Sequence, residues 1–288
     1  MSPAEPLIRN ISDTARWVAV YRATETERPD ALFRDPFARK LAGKRGEEIA
    51  AGLANRPIDW SFTIRTYLFD AFIADHVRAG GDMIINLAAG LDARPYRMDV
   101  PPSLRWVEID LPEILDYKEE VLAGEKPRCD LRRLRVDLAD PKARRPVFAE
   151  LGGSAKNALV LSEGLISYLT EEQVGSLGED LAAPSGIKRW ATDLMSRRLR
   201  LILMEEIGSK LNEARAPLVF SPEKGPDFFA DHRWRPIDVR SMLQWAGKKK
   251  RLKGWLRFGA MLPDSRGKNP NTPWGGVILM EKMAGGAA

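Results

Sequence analysis

Two apolar runs that end in ligand-type residues give the first sign of chemistry in this chain. Residues 83–87 are apolar and lead through two alanines into Gly90, a pattern typical of a buried strand that turns beside a ligand. A second apolar run at 104–109 ends in Asp110, whose carboxylate is suited to accept hydrogen bonds from a ribose diol. The two runs together predict a binding site for an adenosine-containing cofactor.

Acidic residues also stand at or just after the ends of three later apolar runs, at Asp137, Glu163 and Asp193. The carboxyl ends of parallel strands meet at one edge of a sheet, where ligands bind. We expect Asp110 to contact ribose hydroxyls, Asp137 and the Leu138 backbone to contact the adenine edge, and Glu163 to lie near the ligand's ammonium or the reacting centre. Each acid also fits a second interpretation, as a first-turn or capping residue stabilised by a helix dipole.

The loop after the first run distinguishes two cofactors. A dinucleotide-binding loop has three glycines spaced G-x-G-x-x-G, whereas Ala88 and Ala93 hold the first and third positions here and only Gly90 remains. S-adenosylmethionine has no phosphate and needs only one close approach of the backbone, but its carboxylate favours a guanidinium partner. Arg65, at the start of a predicted helix over 63–79, is the candidate. The loop therefore predicts S-adenosylmethionine rather than NAD(P).

Strand-type and helix-type patterns alternate along most of the chain. Apolar runs lie at 83–87, 104–109, 134–136, 158–162, 187–195, 252–262 and 276–281, and helical spacing occurs at 111–123, 141–151, 170–182 and 237–246. The alternation predicts an α/β fold with a Rossmann-like, seven-stranded, mostly parallel sheet and helices on both faces. Because 263–275 is too irregular for a crossover helix, we expect the last two strands to pair antiparallel, giving one antiparallel edge strand.

The segments outside this alternation predict how the chain is divided. We expect a helical amino-terminal cap at 1–60 and a cofactor-binding core at 61–195 and 237–283. Residues 196–236 interrupt the alternation with a charged helix and several prolines, and we expect them to form a lid or substrate-binding insertion. Residues 284–288 are predicted to be a disordered tail.

Composition limits the classes of function. The chain has 288 residues, of which 44% are hydrophobic and 30% charged, with a net charge of +5. It has no apolar run of eighteen residues and no secretory signal core, so we expect a cytoplasmic protein without a membrane partner. The single cysteine, Cys129, indicates a free structural thiol. The basic cluster of Lys248, Lys249, Lys250, Arg251 and Lys253 is interpreted as a solvated turn, and no nucleic-acid partner is expected.

Several motifs make the chain resemble the leucine carboxyl methyltransferase family, and in particular its bacterial branch that methylates small molecules. The most specific combination is Gly90-Leu91-Asp92-x-Arg94 together with the earlier Asp35-Pro36-Phe37-Ala38. The resemblance covers nearly the whole chain, through residues 11–15, 21–23, 30–38, 65–66, 86–97, 108–112, 136–138 and 162–169.

The resemblance implies an S-adenosylmethionine site on a Rossmann-like seven-stranded sheet. It assigns Arg65 to the cofactor carboxylate, Gly90 and its neighbours to the methionine portion, Asp110 to the ribose and Glu163 to the surroundings of the ammonium. The full predicted cofactor site comprises Arg65, Ala88, Ala89, Gly90, Asp92, Arg94, Asp110, Leu111, Asp137, Leu138 and Glu163. One departure is Ala88, where family members usually carry glycine.

The predicted function is S-adenosylmethionine-dependent O-methylation of a carboxylate or hydroxyl of a small molecule. Methyl transfer from a sulfonium depends mainly on alignment and desolvation of the nucleophile, and only a phenol benefits from a base. Tyr168 and His232 are the candidates for a catalytic group, and Arg22, Tyr168, Arg233 and Arg235 are candidate substrate contacts. No metal is predicted, and the oligomeric state stays open.

Two alternatives to the predicted methyltransferase activity also fit the sequence. The first is a catalytically silent cofactor-binding or regulatory protein, to which Ala88 gives some support. The second is an NAD(P)-dependent oxidoreductase, which the missing glycines disfavour. A nucleic-acid methyltransferase is less favoured still, because Ser162-Glu163-Gly164-Leu165 stands where an Asn/Asp-Pro-Pro-aromatic loop would be expected.

Overall fold

A seven-stranded sheet forms the centre of the protein, in a computed structural model that describes residues 11–52, 59–213 and 216–284. The strands are β1 (Met83–Leu87), β2 (Arg105–Asp110), β3 (Asp130–Arg135), β4 (Ala158–Ser162), β5 (Ile187–Met195), β6 (Trp234–Ser241) and β7 (Gly275–Lys282). Their order across the sheet is β3-β2-β1-β4-β5-β7-β6. From β1 the chain adds β2 and β3 on one side and then crosses to add β4 on the other side, and such a reversal of strand order creates the crevice in which these sheets bind ligands.

Strand directions agree with the predicted fold class. β1 pairs in parallel with β2 and β4, and the parallel arrangement extends to β3 and β5. β7 is antiparallel to both β5 and β6, so the antiparallel strand lies one position inside the edge and β6 forms the edge itself. β1 and β4 are buried along their whole lengths, as expected of central strands covered on both faces.

Helices flank the sheet and precede it. They are α1 (Ile11–Thr26), α2 (Ala38–Gly52), α3 (Asp59–Arg78), α4 (Arg94–Arg97), α5 (Pro112–Val121), α6 (Pro141–Ser154), α7 (Glu171–Ala182), α8 (Arg197–Glu213), α9 (Met242–Lys248) and α10 (Leu256–Gly259). Short 3₁₀ turns occupy Ile166–Tyr168 and Gly225–His232. None of the helices in the described part of the chain is long and apolar enough to cross a membrane.

Local sequence signals explain where several of these helices begin. Thr170 and Gln173 form a capping box at the start of α7, in which each side chain bonds to the other's backbone N–H. Asp140 caps α6, and the proline at the first turn of that helix has no N–H that would need a partner. Ser241 ends β6 and caps α9, so the chain passes directly from strand to helix.

The predictions were wrong at the sixth strand. The strand lies at Trp234–Ser241, not at 252–262, and the helix predicted over 237–246 is shifted to Met242–Lys248. Pro236 lies beside a register shift in β6, and an edge strand tolerates proline because its outer N–H groups need no partner strand. Within 252–262 the chain forms a turn and the short helix α10 instead.

The predicted division into cap, core and lid stays a prediction. α1 and α2 lie within the predicted cap, α8 lies within the predicted lid, and β6 begins two residues before the predicted end of that lid. Residues 1–10 and 53–58 of the cap, 214–215 of the lid and 285–288 of the predicted tail lie outside the described residues.

Candidate functional site

A large cavity of about 780 Å³ runs along the carboxyl edge of the sheet, from the end of β3 to the end of β6. Its volume lies within the usual range of ligand pockets, about 300–1,000 Å³. All eleven residues of the predicted cofactor site line it: Arg65, Ala88, Ala89, Gly90, Asp92, Arg94, Asp110, Leu111, Asp137, Leu138 and Glu163. The structure therefore brings these residues together, although they come from five separate segments of the chain.

The loop after β1 is held in a tight conformation by hydrogen bonds to its neighbours. Ala88 and Gly90 both have positive φ angles, 49° and 47°, which non-glycine residues adopt at a cost. The N–H of Gly90 donates to Asp110 Oδ2 at 2.6 Å. The Asn86 side chain donates to Asp92 Oδ2 at 2.9 Å, which fixes the far side of the turn. Ala88 thus occupies the same left-handed backbone region that a glycine would occupy.

Asp110 closes β2 and points its carboxylate at the start of this loop. Its second oxygen accepts the N–H of Leu111 at 2.8 Å. Burial raises the pKa of Asp110, and the two backbone N–H groups offset part of that rise. A carboxylate at this position, with lone pairs directed into the cavity edge, is suited to accept two vicinal hydroxyls.

Arg65 lies on α3 and joins two acids from different strands. Its Nε donates to Glu163 Oε1 at 3.1 Å, and its Nη1 donates to Asp193 Oδ2 at 3.2 Å. The other oxygen of Asp193 accepts the N–H of Gly164 at 2.6 Å, so the carboxyl ends of β4 and β5 are tied together here. A guanidinium has five N–H donors, and these two contacts leave donors for a ligand carboxylate.

Arg94 is more deeply buried and its guanidinium is directed at protein acids. Its Nε donates to Asp70 Oδ1 at 2.6 Å and its Nη1 to Asp92 Oδ2 at 2.8 Å, while Nη2 lies 2.8 Å from Glu163 Oε2. Burial alone would raise the pKa of Asp92, but the charge of Arg94, supported by neighbouring cations, holds it well below its usual range. Arg94 therefore orients the acids around it.

The charges around this end of the cavity do not cancel. This end of the cavity is lined by five acids and three arginines, an excess of two negative charges: Asp92, Asp110, Asp137, Glu163 and Asp193 against Arg22, Arg65 and Arg94. S-adenosylmethionine carries a sulfonium, an ammonium and a carboxylate. A negative site that contains one accessible arginine is complementary to that distribution of charge.

Asp137 and Leu138 follow β3 at the cavity's outer end. Asp137 is exposed and its Oδ1 accepts the N–H of Ala139 at 2.9 Å, which leaves the other oxygen for a ligand. Leu138 is half-buried, and its carbonyl accepts Arg144 Nη1 at 2.9 Å. The pair forms an apolar surface with a carboxylate beside it, as an adenine edge requires.

Two of the candidate acceptor contacts lie in the cavity wall. Tyr168 is half-buried there, and its pKa is raised, chiefly by burial and against the charge of Arg65. Its hydroxyl therefore stays protonated at neutral pH and is a hydrogen-bond donor rather than a base. Arg22 also lines the cavity, but its guanidinium bonds to Asp35 Oδ2 at 2.9 Å and to the Leu91 carbonyl at 2.6 Å. Arg22 thus holds α1 against the loop.

Three other candidates lie away from the cavity. The His232 ring packs on Phe228, and its Nδ1 lies 3.1 Å from Glu179 Oε1 on α7. Arg233 is exposed with a left-handed backbone, and Arg235 pairs with Glu281 on the neighbouring β7. The predicted roles of these residues in catalysis or substrate contact have no geometric support, because they lie at or just before the start of β6, whereas the cavity borders the other end of that strand.

The sequence did not single out the apolar end of the cavity. Leu199, Leu203, Ile207 and Leu211 repeat every four residues on α8 and line one wall. Trp17, Leu218 and Trp274 complete the surroundings. The four-residue repeat on α8 is the signal that could have identified this wall, since it puts the apolar side chains on one helical face.

Asp70 is a second residue that spacing did not identify. It lies on α3, one and a half turns after Arg65, and accepts Arg97 through both oxygens at 2.7 and 2.8 Å while also binding Arg94.

Cys129 is buried, and burial raises the pKa of its thiol to about 12, which makes it unreactive at neutral pH. Among the described residues no cluster of histidine, cysteine or acid side chains is arranged to hold a metal ion.

Comparison with known proteins gives a consistent family match. The sequence matches the leucine carboxyl methyltransferase family over residues 15–182. A protein of Mycobacteroides abscessus, named "Putative S-adenosyl-L-methionine-dependent methyltransferase", is 34% identical over 226 residues, or 72% of this chain and 73% of that protein. A protein of the same name from Mycobacterium marinum is 29% identical over 303 residues, or 93% of this chain and 86% of its own length.

A solved structure shares the fold. The crystal structure of a DUF574 family protein from Streptomyces avermitilis superposes with a TM-score of 0.59 and covers 94% of this chain and 97% of that one. The sequence identity between the two is 12%, so this likeness concerns the fold alone.

Proposed function

Because this chain belongs to the leucine carboxyl methyltransferase family and is an S-adenosylmethionine-dependent methyltransferase, we propose that it methylates a carboxylate or hydroxyl oxygen of an apolar small molecule. One observation carries the proposal. A single cavity joins a charged end, which suits the cofactor, to an end walled by leucine, isoleucine and tryptophan side chains. The second end has room for an acceptor and little that would recognise a peptide or a highly charged substrate. The nicotinamide-dependent alternative is not retained, because the family transfers methyl groups.

In this proposal, the residues of the charged end contact different parts of the cofactor. Arg65 binds its carboxylate, Asp110 accepts the ribose hydroxyls, and Asp137 with Leu138 borders the adenine. Glu163 attracts the ammonium, while Arg94 keeps Glu163 and Asp92 in place. When bound, S-adenosylmethionine supplies an electrophilic methyl group on a sulfonium.

The chain itself contributes alignment and exclusion of water at the acceptor end. The apolar side chains of α1 and α8 remove solvent from the acceptor oxygen, which makes that oxygen a better nucleophile. The protonated hydroxyl of Tyr168 orients the acceptor by donating a hydrogen bond. A carboxylate is already ionised at neutral pH and needs no base from the protein. α8 acts as the lid, and α1, whose Thr14, Ala15, Trp17 and Val18 line the cavity, acts as the cap.

Methyl transfer to a panel of acceptors tests this proposal. The enzyme is incubated with isotopically labelled S-adenosylmethionine and with medium-chain carboxylic acids, apolar phenols and their short polar analogues. Labelled product is expected from an apolar acceptor and not from its polar analogue. Alkaline hydrolysis releases methanol from a methyl ester but not from a methyl ether, which identifies the oxygen. Transfer confined to peptides or polar acids would refute the proposal.

A further inference from the structure

An exposed apolar surface lies beside the acceptor end of the cavity, on the turn that was predicted to be a strand. Trp255, Phe258, Met261 and Leu262 are 76%, 74%, 82% and 65% exposed, and they come from eight consecutive residues around α10. We call these four residues the apolar patch. Large hydrophobic side chains grouped this closely at the surface mark an interaction site, since each of them loses contact with water when it is covered.

The chain around the patch is strongly basic. Between Asp238 and Asp264 there are seven lysine and arginine residues and no acid. Lys248, Lys250, Lys253 and Arg257 are exposed there. Arg251 is committed to Glu25 and Asp30, and Lys253 interacts with Asp59. The remaining exposed cations, Lys248, Lys250 and Arg257, lie within the patch segment or at most seven positions before it in the sequence.

This combination determines which partner fits. Aromatic and aliphatic side chains flanked by lysine and arginine bind the interface of an anionic membrane, where the apolar groups enter the acyl boundary and the cations meet lipid headgroups. A tryptophan ring suits that depth because it has both an apolar body and an N–H donor. An apolar protein surface would be complementary to the patch but not to the cations around it.

The patch is also continuous with the cavity. Trp255, Leu256, Gly259 and Leu262 line the cavity wall, so the surface that would enter a membrane borders the cavity. We therefore propose that the apolar patch and its flanking cations dock this protein on anionic lipid membranes, with the cavity mouth facing the bilayer. The expectation that the chain has no membrane partner concerned spanning segments, and a surface contact of this kind leaves no such segment in the sequence.

Vesicle sedimentation of the full chain tests the proposal. Vesicles of pure phosphatidylcholine are compared with vesicles in which one third of the lipid is phosphatidylglycerol. The wild-type chain is expected to bind the anionic vesicles, to bind the neutral ones far less, and to be released by salt. Because each cation near an anionic surface strengthens binding by about fivefold, the double variant K250E/R257E should bind at least about tenfold more weakly.

Two further variants distinguish binding through the apolar patch from general attraction between a basic protein and anionic lipid. W255S/F258S should lose vesicle binding while keeping its circular dichroism spectrum. K126E/K142E, which makes the same change in net charge at the opposite edge of the sheet, should bind like wild type. The proposal is overturned if anionic vesicles do not bind the wild-type chain or if W255S/F258S binds unchanged. It is also overturned if sedimentation velocity shows a dimer that W255S/F258S converts to a monomer, because the patch would then cover a second copy. None of these results depends on methyl transfer.

Discussion

Arg65 Nε lies 3.1 Å from Glu163 Oε1, and this contact links helix α3 to the end of β4 across 98 positions of sequence. The same guanidinium reaches Asp193 at the end of β5. A single arginine thereby sets the spacing of two adjacent strand ends and presents its remaining donors to the cavity. The position of the Arg65 guanidinium therefore depends on both acids.

Two substitutions of Arg65 distinguish the effect of its positive charge on cofactor binding from the effect of its planar set of donors. Arg65→Gln should weaken binding of S-adenosylhomocysteine by about tenfold or more, because a hydrogen bond between charged groups contributes roughly 1.5–3 kcal/mol. Arg65→Lys should retain part of the affinity, since it keeps the charge but not the planar set of donors. Calorimetry measures both, with Arg105→Gln as the control at the opposite end of the strands, where Arg105 pairs with Asp82. Unchanged affinity in Arg65→Gln would remove Arg65 from the cofactor site.

Ala88 offers a test in which a substitution improves the protein. Its φ of 49° lies in the left-handed region, which costs an alanine roughly 1 kcal/mol more than a glycine. Ala88→Gly should therefore bind S-adenosylhomocysteine as well as or better than wild type and should not lower the free energy of unfolding. Ala89→Gly is the matched control, and it should destabilise the chain by about 0.5–1 kcal/mol because Ala89 gains nothing from glycine's freedom. A marked loss of affinity in Ala88→Gly would show that the methyl group of Ala88 itself contacts the ligand.

A substitution in the α8 wall is predicted to change the KM for the acceptor but not the affinity for the cofactor product. Leu203→Gln puts an amide into the apolar end of the cavity and should raise the KM for an apolar acceptor by about tenfold, since burying an unpaired amide costs roughly 1–3 kcal/mol. Affinity for S-adenosylhomocysteine should stay within about twofold of wild type, as only the acceptor end has changed. Leu201 lies on the same helix but is 39% exposed. Leu201→Gln should therefore leave both the KM for the acceptor and the affinity for S-adenosylhomocysteine unchanged. Equal effects of the two variants would mean that α8 does not border the acceptor.

His76 predicts how stability depends on pH. Its ring is buried on α3, its Nε2 lies 3.0 Å from the Asn157 carbonyl, and burial lowers its pKa to about 4. The unfolded chain, with a pKa near 6.5, takes up the proton first as the pH falls, so folding stability is lost between about pH 6.5 and 4. Relative to His76→Gln, the wild type should lose about 2 kcal/mol between pH 7 and pH 4.5 in urea unfolding. Parallel pH profiles for the two proteins would show that His76 titrates normally.

β1 and β4 could be predicted because they carry nearly continuous apolar runs, whereas the run at 134–136 overlaps only the end of β3, whose sequence is DLRRLR. β1, β4 and β5 begin and end at the predicted residues, and the loop after β1 and the acid after β2 border the cavity as expected. Such runs are reliable for strands that are buried on both faces, since almost every side chain must then be apolar.

The edge of the sheet could not be predicted in the same way. β6 contains Pro236, Asp238 and two arginines, and an edge strand with one solvated side does not need an apolar run. The apolar residues at 252–262 gave a strand pattern, but most of them are exposed, and composition does not distinguish a buried run from a surface patch.

The partners of Arg94 are a feature of the candidate site that could not be predicted from the sequence. The loop motif identified Arg94, but Asp70 comes from a helix that lies 24 positions earlier, and no spacing rule connects the two residues. Only the tertiary structure shows that the guanidinium of Arg94 is directed at protein acids, which is why the proposed function gives it a positioning role; its predicted contact with the cofactor stays a prediction.

Calorimetric titration of S-adenosylhomocysteine into wild type and Asp110→Asn tests the central claim most directly, that the charged end of this cavity holds the cofactor. Asp110 joins the ends of β1 and β2 and is the group assigned to the ribose. The wild type should bind, and Asp110→Asn should bind at least about tenfold more weakly, because one hydrogen bond to a charged acceptor contributes roughly 1.5–3 kcal/mol. Asp116→Asn, on the exposed face of α5, should bind like wild type. Equal affinity of wild type and Asp110→Asn, with both proteins folded, would contradict the account.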